Sequence, residues 1–304
     1  MLIYRHISDN EIDASVRLMI SGSREPEAID QEEIGRFKDT ASTIRCNLAC
    51  QIIALDQDKI IGCLLYFPSP DASALITMPK FLAKYNNDKN VAAILHCCIK
   101  EIPKDKVDII QTFIDPSNIK DLKLLTEAGF SFFGDIILMK RQPSVEDIHI
   151  SLSKEIEWRN YSGGNHTDFL RVLKETYEGT LDFVRLPRSK DIEKIVAGHK
   201  SIRLFREDCW FSAHKKGSPV GVLLLNYLPF RKSFNLTYMG VVKDMRGKGY
   251  GKELVKKAIQ ICSGEQKTEI TLAVDPENIP AYRIYKEMGF EEKEKKKGFF
   301  ALTI

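Results

Sequence analysis

Two hydrophobic periods alternate along this chain, and the alternation predicts an α/β protein. Strands are expected where apolar residues run together or alternate: 3–6, 47–55, 60–67, a short run at 74–78, and 107–114. Helices are expected where they recur every three or four positions: from Asp9 to about Ile20, about 25–42, from Asn86 to about Lys100, and from the Asp115-Pro116-Ser117-Asn118 cap to Gly129. Residues 130–139 read as one or two strands. The polar stretch from Arg141 to His149, interrupted by Pro143, reads as a linker.

The same order then recurs. A strand is expected at 152–158 and helices at 165–177 and about 190–204. Strands at 209–213 and 219–228 form a hairpin, and 234–242 is a further strand. A helix with Leu254, Val255, Ala258, Ile259 and Cys262 on one face follows. After it come a strand at 268–274, a helix at 278–288 and a closing pair of strands over 291–304. Letters repeat along with order: Ile114-Asp115-Pro116-Ser117-Asn118-Ile119 matches Val274-Asp275-Pro276-Glu277-Asn278-Ile279. Gly129-Phe130 matches Gly289-Phe290, and both matches keep a spacing of 160. Gly62 and Gly221 fall at nearly that spacing too. Two copies of one domain explain this, with spans 1–141 and 150–304.

The copies differ at one stretch. Between an apolar strand and a helix, the second carries Arg246-Gly247-Lys248-Gly249-Tyr250-Gly251-Lys252. Glycines on alternate positions bare the loop backbone at the positive end of a helix, where amide groups can receive a bulky anion. A tight glycine-rich turn is the plainer alternative. The corresponding stretch of the first copy, Asn86-Asn87-Asp88-Lys89-Asn90-Val91, has no glycine. A Walker loop does not fit, because Glu253 follows Lys252, and the G-x-G-x-G spacing is not a dinucleotide fingerprint.

Composition narrows the class. Apolar residues make up 43% and charged residues 29% of 304, which is globular, and the net charge of +3 is dispersed, which argues against nucleic acid as a partner. No apolar run approaches the ~20 residues that span a bilayer, so no membrane partner is expected. The N-terminus lacks a signal-peptide core, and a cytoplasmic protein is expected. Seven unpaired cysteines, most of them (Cys63, Cys97, Cys98, Cys209, Cys262) in apolar surroundings, read as buried thiols; Cys46 and Cys50 lack a second ligand pair, so no metal is expected.

Arg246-Gly247-Lys248-Gly249-Tyr250-Gly251 followed by Asn278-x-x-Ala281-x-x-x-Tyr285-x-x-x-Gly289-Phe290 resembles the GNAT superfamily of N-acyltransferases. The resemblance is strong over 150–304 and extends to the scaffold alone over 1–140. The tandem arrangement is similar to that of mycothiol-synthase-like double GNAT proteins, and Thr176–Asp182 and Leu236–Val241 suggest a group of bacterial tandem GNAT proteins. It implies two tandem GNAT-like domains, each a mixed, mostly antiparallel, V-split sheet flanked by helices, the first a degenerate copy that shapes the acceptor cleft. It further implies acetyl-CoA as co-substrate, with strand backbone at Met239, Gly240 and Val241 pairing with the pantetheine. Arg246, Gly247, Lys248, Gly249, Tyr250, Gly251 and Lys252 would hold the pyrophosphate, and Asn278 would contact the cofactor or a water. Tyr285 would be the acid that protonates the leaving thiolate. A small-molecule amine is the implied acceptor.

By spacing alone, Tyr285 belongs to a stripe with Ile279, Tyr282 and Met288 that also suits a core, and Asn278 suits a helix cap. The positions where relatives carry a basic carboxylate hold Asn235 and Ala273. Glu178, Asp182, Asp208 and His214 are further candidates, each also readable as a turn, cap or surface group, and no base is assigned. A non-catalytic acyl-CoA-binding sensor is the alternative that this gap favours. Lys293 and Lys295–Lys297 are expected to flank a hairpin turn.

Overall fold

The computed structural model describes residues 2–22, 24–43, 46–189, 191–201, 205–228, 232–265 and 269–303. They form two compact units, Met1–Phe133 with Lys297–Ile304, and Gly134–Lys296.

In the first unit the order is β1 (Ile3–His6), α1 (Ile12–Ile20), α2 (Gln31–Thr43), β2 (Gln51–Asp56), β3 (Lys59–Pro68), β4 (Ser73–Ile76), β5 (Lys80–Phe81), α3 (Asp88–Glu101), β6 (Ile109–Ile114) and α4 (Ile119–Glu127). The sheet runs β1-β2-β3-β4-β6, with β5 on β3, and only β4–β6 is parallel. Both faces are covered, so β2 reads as a continuous apolar run. Ile52 and Ala54 pack with Ile94 and Leu95 of α3 and Leu124 and Leu125 of α4, while Ile53 and Leu55 pack with Leu18 of α1. The second helix begins later than expected because Pro26–Ala28 forms a 3-10 turn ahead of it.

The second unit contains β7 (Ser131–Arg141, from Gly134 on), β8 (Glu157–Asn160), α5 (His166–Tyr177), α6 (Ile192–Ser201), β9 (Trp210–Lys215), β10 (Ser218–Leu228) and β11 (Ser233–Val241). It continues with α7 (Tyr250–Gly264), β12 (Glu269–Val274), α8 (Ile279–Glu287) and the start of β13 (Glu291–Leu302). Its sheet order is β7-β12-β11-β10-β9-β8. Leu254, Val255, Ala258 and Ile259 of α7 and Tyr285 of α8 cover one face; Phe169, Val172 and Leu173 of α5 and Val196 of α6 cover the other. Residues 190, 202–204 and 268, at the expected ends of a helix and a strand, lie outside the described residues.

The compact units are not the sequence-contiguous spans 1–141 and 150–304. Lys297–Leu302 of β13 pair antiparallel with Ile109–Ile114 of β6 and bury Phe299 and Ala301 in the first unit's core. Ile137–Arg141 of β7 pair with Ile270–Val274 of β12 in the second. Each unit thus completes its sheet with the terminal strand of the other repeat. The closing segment is one strand and not a hairpin, so Lys293 and Lys295–Lys297 lie along it, where Lys295 faces Glu292 and Lys296 faces Glu294. The stretch expected as a linker ends β7 and then forms a 3-10 turn at Val145–His149, capped by Ser144 and Asp147. Strand β8 starts at Glu157 and not at Leu152, because the Ser153 N–H bonds Glu253 and the Ile156 N–H turns back to the Ser153 carbonyl.

Candidate active site

The second unit's sheet comes apart at β11. Its pairing with β10 runs to Val241, but its parallel pairing with β12 covers only Ser233–Leu236. At the divergence β11 gains an extra residue. Leu224 faces Tyr238 and Leu225 faces Leu236, leaving Thr237 as a bulge, and bulges bend a strand. Beyond it, Tyr238–Val241 present an edge toward β12 that no described strand pairs. Asn235 sits at the last paired turn, where its amide nitrogen donates to the Thr271 carbonyl and hydroxyl at 3.2 Å. It clamps the two strands where they part and carries no titratable proton. Met239 and Val241 pack toward the α7–α8 core. Gly240 lies under α5, where a Cβ would come within 2.6 Å of the Thr176 side chain.

The glycine loop follows. Gly247 and Gly249 have φ of 75° and 85°, the left-handed region that glycine adopts without cost. Gly249 is the N-cap of α7 and has no side chain to offer its first turn. The amides of Gly247, Lys248, Gly249, Tyr250 and Gly251 donate to no acceptor among the described residues, whereas that of Arg246 bonds Lys243 and that of Lys252 bonds Gly249. Five consecutive N–H groups without an acceptor among the described residues thus lie at the positive end of a helix, where an anion can be received. In the first unit the corresponding helix α3 starts on Asn87, whose side chain accepts the Asn90 N–H at 3.0 Å, so that helix supplies its own acceptor. Gly251 serves packing: a Cβ there would lie 2.9 Å from Ile284 Cδ1.

Arg246 turns away from the amides. Its guanidinium donates to the carbonyls of Thr176 (3.0 Å), Glu178 (2.7 Å), Gly179 (2.6 Å) and Val241 (3.0 Å). It ties the C-terminus of α5 to the end of β11. Lys252 reaches Glu287 at 3.4 Å.

Tyr285 is buried in the α7–α8 core, edge-on to Phe290 at 5.7 Å, and its phenol makes no hydrogen bond to a described residue. Burial first, then the charge of Asp182 and Tyr238, raise its pKa, so it holds its proton at neutral pH. Asn278 caps α8 by accepting the Ala281 N–H, as Asn118 caps α4. The repeat continues at Phe290, whose N–H bonds the Tyr285 carbonyl at 2.9 Å, and at Phe130, whose N–H bonds the Leu125 carbonyl at 2.9 Å. Leu125 therefore stands where Tyr285 stands, and the first unit has no phenol there.

The other candidates separate clearly. Glu178 is an exposed helix end, and Asp208 pairs with Arg206 at 2.6 Å. His214 is fully buried beside Ser212, and burial lowers its pKa. Asp182, half-buried in the loop after α5, lies within electrostatic reach of Arg188, Asp275, Asn278 and Tyr285. Next to it Tyr238, its pKa pushed up to about 12 by burial, shares a hydrogen bond with the Thr176 hydroxyl at 3.0 Å and stacks on Tyr177 at 4.7 Å. Sequence reasoning could not rank Asp182, because the loop is fixed by a contact 92 positions away: the Phe183 N–H donates to Asp275 at 2.9 Å.

A bulged, splayed strand thus leads to a bare helix N-terminus able to receive an anion. Residues 170–290 match the family model for Acetyltransferase (GNAT) family. The chain is 33% identical over 158 residues to the protein named "Uncharacterized N-acetyltransferase MJ1207" of Methanocaldococcus jannaschii, covering 50% of this chain and 68% of that one. It is 25% identical over 122 residues to the "Peptidyl-lysine N-acetyltransferase YjaB" of Salmonella typhimurium, covering 40% and 74%. A GCN5-related N-acetyltransferase from Sphaerobacter thermophilus has the same fold at TM-score 0.60 and 17% identity, over 99% of this chain and 96% of that one. A tandem GNAT protein from the clavulanic acid biosynthesis pathway does so at TM-score 0.58 and 10% identity, over 100% and 99%. The chain belongs to the GNAT family, as an enzyme built from two tandem GNAT-like domains. Enzymes of this family transfer acetyl groups to amines and generally use acetyl-CoA. Among the described residues no group of three or more His, Cys, Asp and Glu could hold a metal, and no helix is long and apolar enough to cross a membrane.

Proposed function

We propose that the second unit transfers an acetyl group from acetyl-CoA to the primary amine of a small molecule, by direct attack with both substrates bound. The run of five unpartnered amides at Gly247–Gly251 carries this reading. It suits the pyrophosphate of the donor, and the unpaired edge of β11 at Met239–Val241 suits the amide-bearing pantetheine as a strand would. Arg246 serves this site by holding the loop, not by touching the anion.

An amine of pKa ~10.4 is neutral in about one molecule in a few thousand at pH 7, which costs roughly 4–5 kcal/mol. The departing sulfur needs a proton, and Tyr285 is a phenol that burial keeps protonated. A covalent acyl-enzyme is disfavoured: burial pushes the Cys209 thiol up to about 12 and that of Cys262 well above its ordinary value, so neither supplies a thiolate. The test is incubation of the full-length protein with acetyl-CoA and a panel of small primary amines, with mass spectrometry of the products. An acetylated amine supports the reading; donor binding without any acetylated product makes the protein a sensor.

A further inference from the structure

Direct attack needs a proton acceptor, and the two strand positions where relatives carry a carboxylate offer none: Asn235 is a strand clamp and position 273 is alanine. The loop between α5 and α6 offers one. We propose that Asp182 receives the acceptor amine and takes its proton, an assignment that rests on the reading of the second unit as an N-acetyltransferase.

The loop is pinned at three places. Arg246 holds the carbonyls of Glu178 and Gly179, Asp275 holds the Phe183 N–H at 2.9 Å, and the Arg188 guanidinium bonds the Asp182 carbonyl. Phe183 has φ of 44°, a conformation that a bulky residue keeps only where its surroundings hold it. Such strain gathers at functional sites, and here it sets the residue beside Asp182.

The groups that act electrostatically on the Asp182 carboxyl come from several elements. Arg188 lies on its own loop, Asp275 directly follows β12, Asn278 caps α8, Tyr285 belongs to α8, and Tyr238 lies on β11. Burial raises the carboxyl pKa, Arg188 opposes this, Asp275 adds to it, and the Asp275 backbone and Asn278 side chain work against it; the balance is upward. A raised carboxyl is the better proton acceptor at neutral pH. Asp275 cannot compete, because its two oxygens already accept the N–H groups of Phe183 and Glu277.

The protons balance between two residues. The amine nitrogen bonds the acetyl carbon and gives its proton to Asp182. The carbon–sulfur bond breaks, its electron pair stays on sulfur, and Tyr285 protonates the sulfur. The carboxyl proton then returns to the phenolate through solvent, leaving an amide and a free thiol.

The experiment compares full-length wild type, Asp182→Asn and Asp182→Glu with acetyl-CoA and L-lysine, D-glucosamine, phenethylamine and a free-N-terminus tetrapeptide, from about pH 6 to about pH 10. For whichever amine wild type acetylates, Asp182→Asn should lower kcat/KM about 100-fold near pH 7 and leave the donor Kd unchanged. The gap should close as pH approaches the amine pKa. Equal kcat/KM and an unchanged pH profile would overturn the role of Asp182 while leaving the transferase reading intact; no acetylation by wild type overturns both. If Asp182→Asn melts or loses the donor, Asp182→Glu decides, since a moved acidic limb supports the role and an unmoved one overturns it.

Discussion

The guanidinium of Arg246 donates to the Gly179 carbonyl at 2.6 Å, across 67 positions of sequence, and does not point into the glycine loop that it opens. Replacing it with alanine removes four bonds to carbonyls at once. Apo stability should fall by about 1–3 kcal/mol, because hydrogen bonds from a charged donor are the strong ones, though two of these four are solvent-exposed. A thermal melt without ligand checks this. A side chain that served only as a phosphate contact would leave the apo melt unchanged.

Two glycines of the same motif should respond differently. Gly249 has φ of 85° with open space around it, so alanine there should cost about 1–2 kcal/mol and weaken donor binding about tenfold. Gly251 is helical and meets only the flexible end of Ile284, so alanine there should cost under about 1 kcal/mol. Calorimetric titration of both variants with acetyl-CoA makes the comparison.

Phe299 is 5% exposed and belongs to the core of the first unit although only five residues of the sequence follow it. Phe299→Ala should destabilise that unit by about 3–5 kcal/mol. Hydrogen exchange at the amides of Ile109–Ile114, which pair with its strand, should accelerate. Unchanged protection there would contradict the strand exchange.

The loop and its helix were legible because glycines at alternate positions and a 3.6-residue stripe are local signals, as were the Asn118 and Asn278 caps and the 160-residue repeat. The exchange of terminal strands was not, since hydrophobic alternation tells a strand which face it buries but not which sheet it joins. The charged stretch Glu291–Lys297 resembled a turn because the first half of β13 is solvent-facing and carries no alternation to read. The contacts of Arg246 and Asp182 were not legible for one reason: their partners, Gly179 and Asn278, are distant in sequence.

Arg141 and Asp147 form a largely buried pair at 2.8 Å, with side chains 18% and 11% exposed, and Arg141 Nη1 has no partner among the described residues. Asp147→Asn leaves that guanidinium uncompensated and should cost about 3 kcal/mol at neutral pH. Burial works to raise the Asp147 pKa, but the Arg141 side chain and the Ser144 N–H outweigh it and hold it below the ordinary value. Its contribution is therefore full above the unfolded value of about 3.9 and fades as pH falls through the lower folded value. Denaturant titrations of both proteins should diverge at pH 7 and converge in acid.

In the proposed reaction a protonated Tyr285 and a cradle of backbone amides make the second unit a transferase. Thiol release at saturating acetyl-CoA, with and without an accepted amine, tests it in wild type and Tyr285→Phe. The account predicts amine-dependent release that falls about 10- to 100-fold in Tyr285→Phe with donor affinity unchanged. Equal release from the two proteins would contradict it.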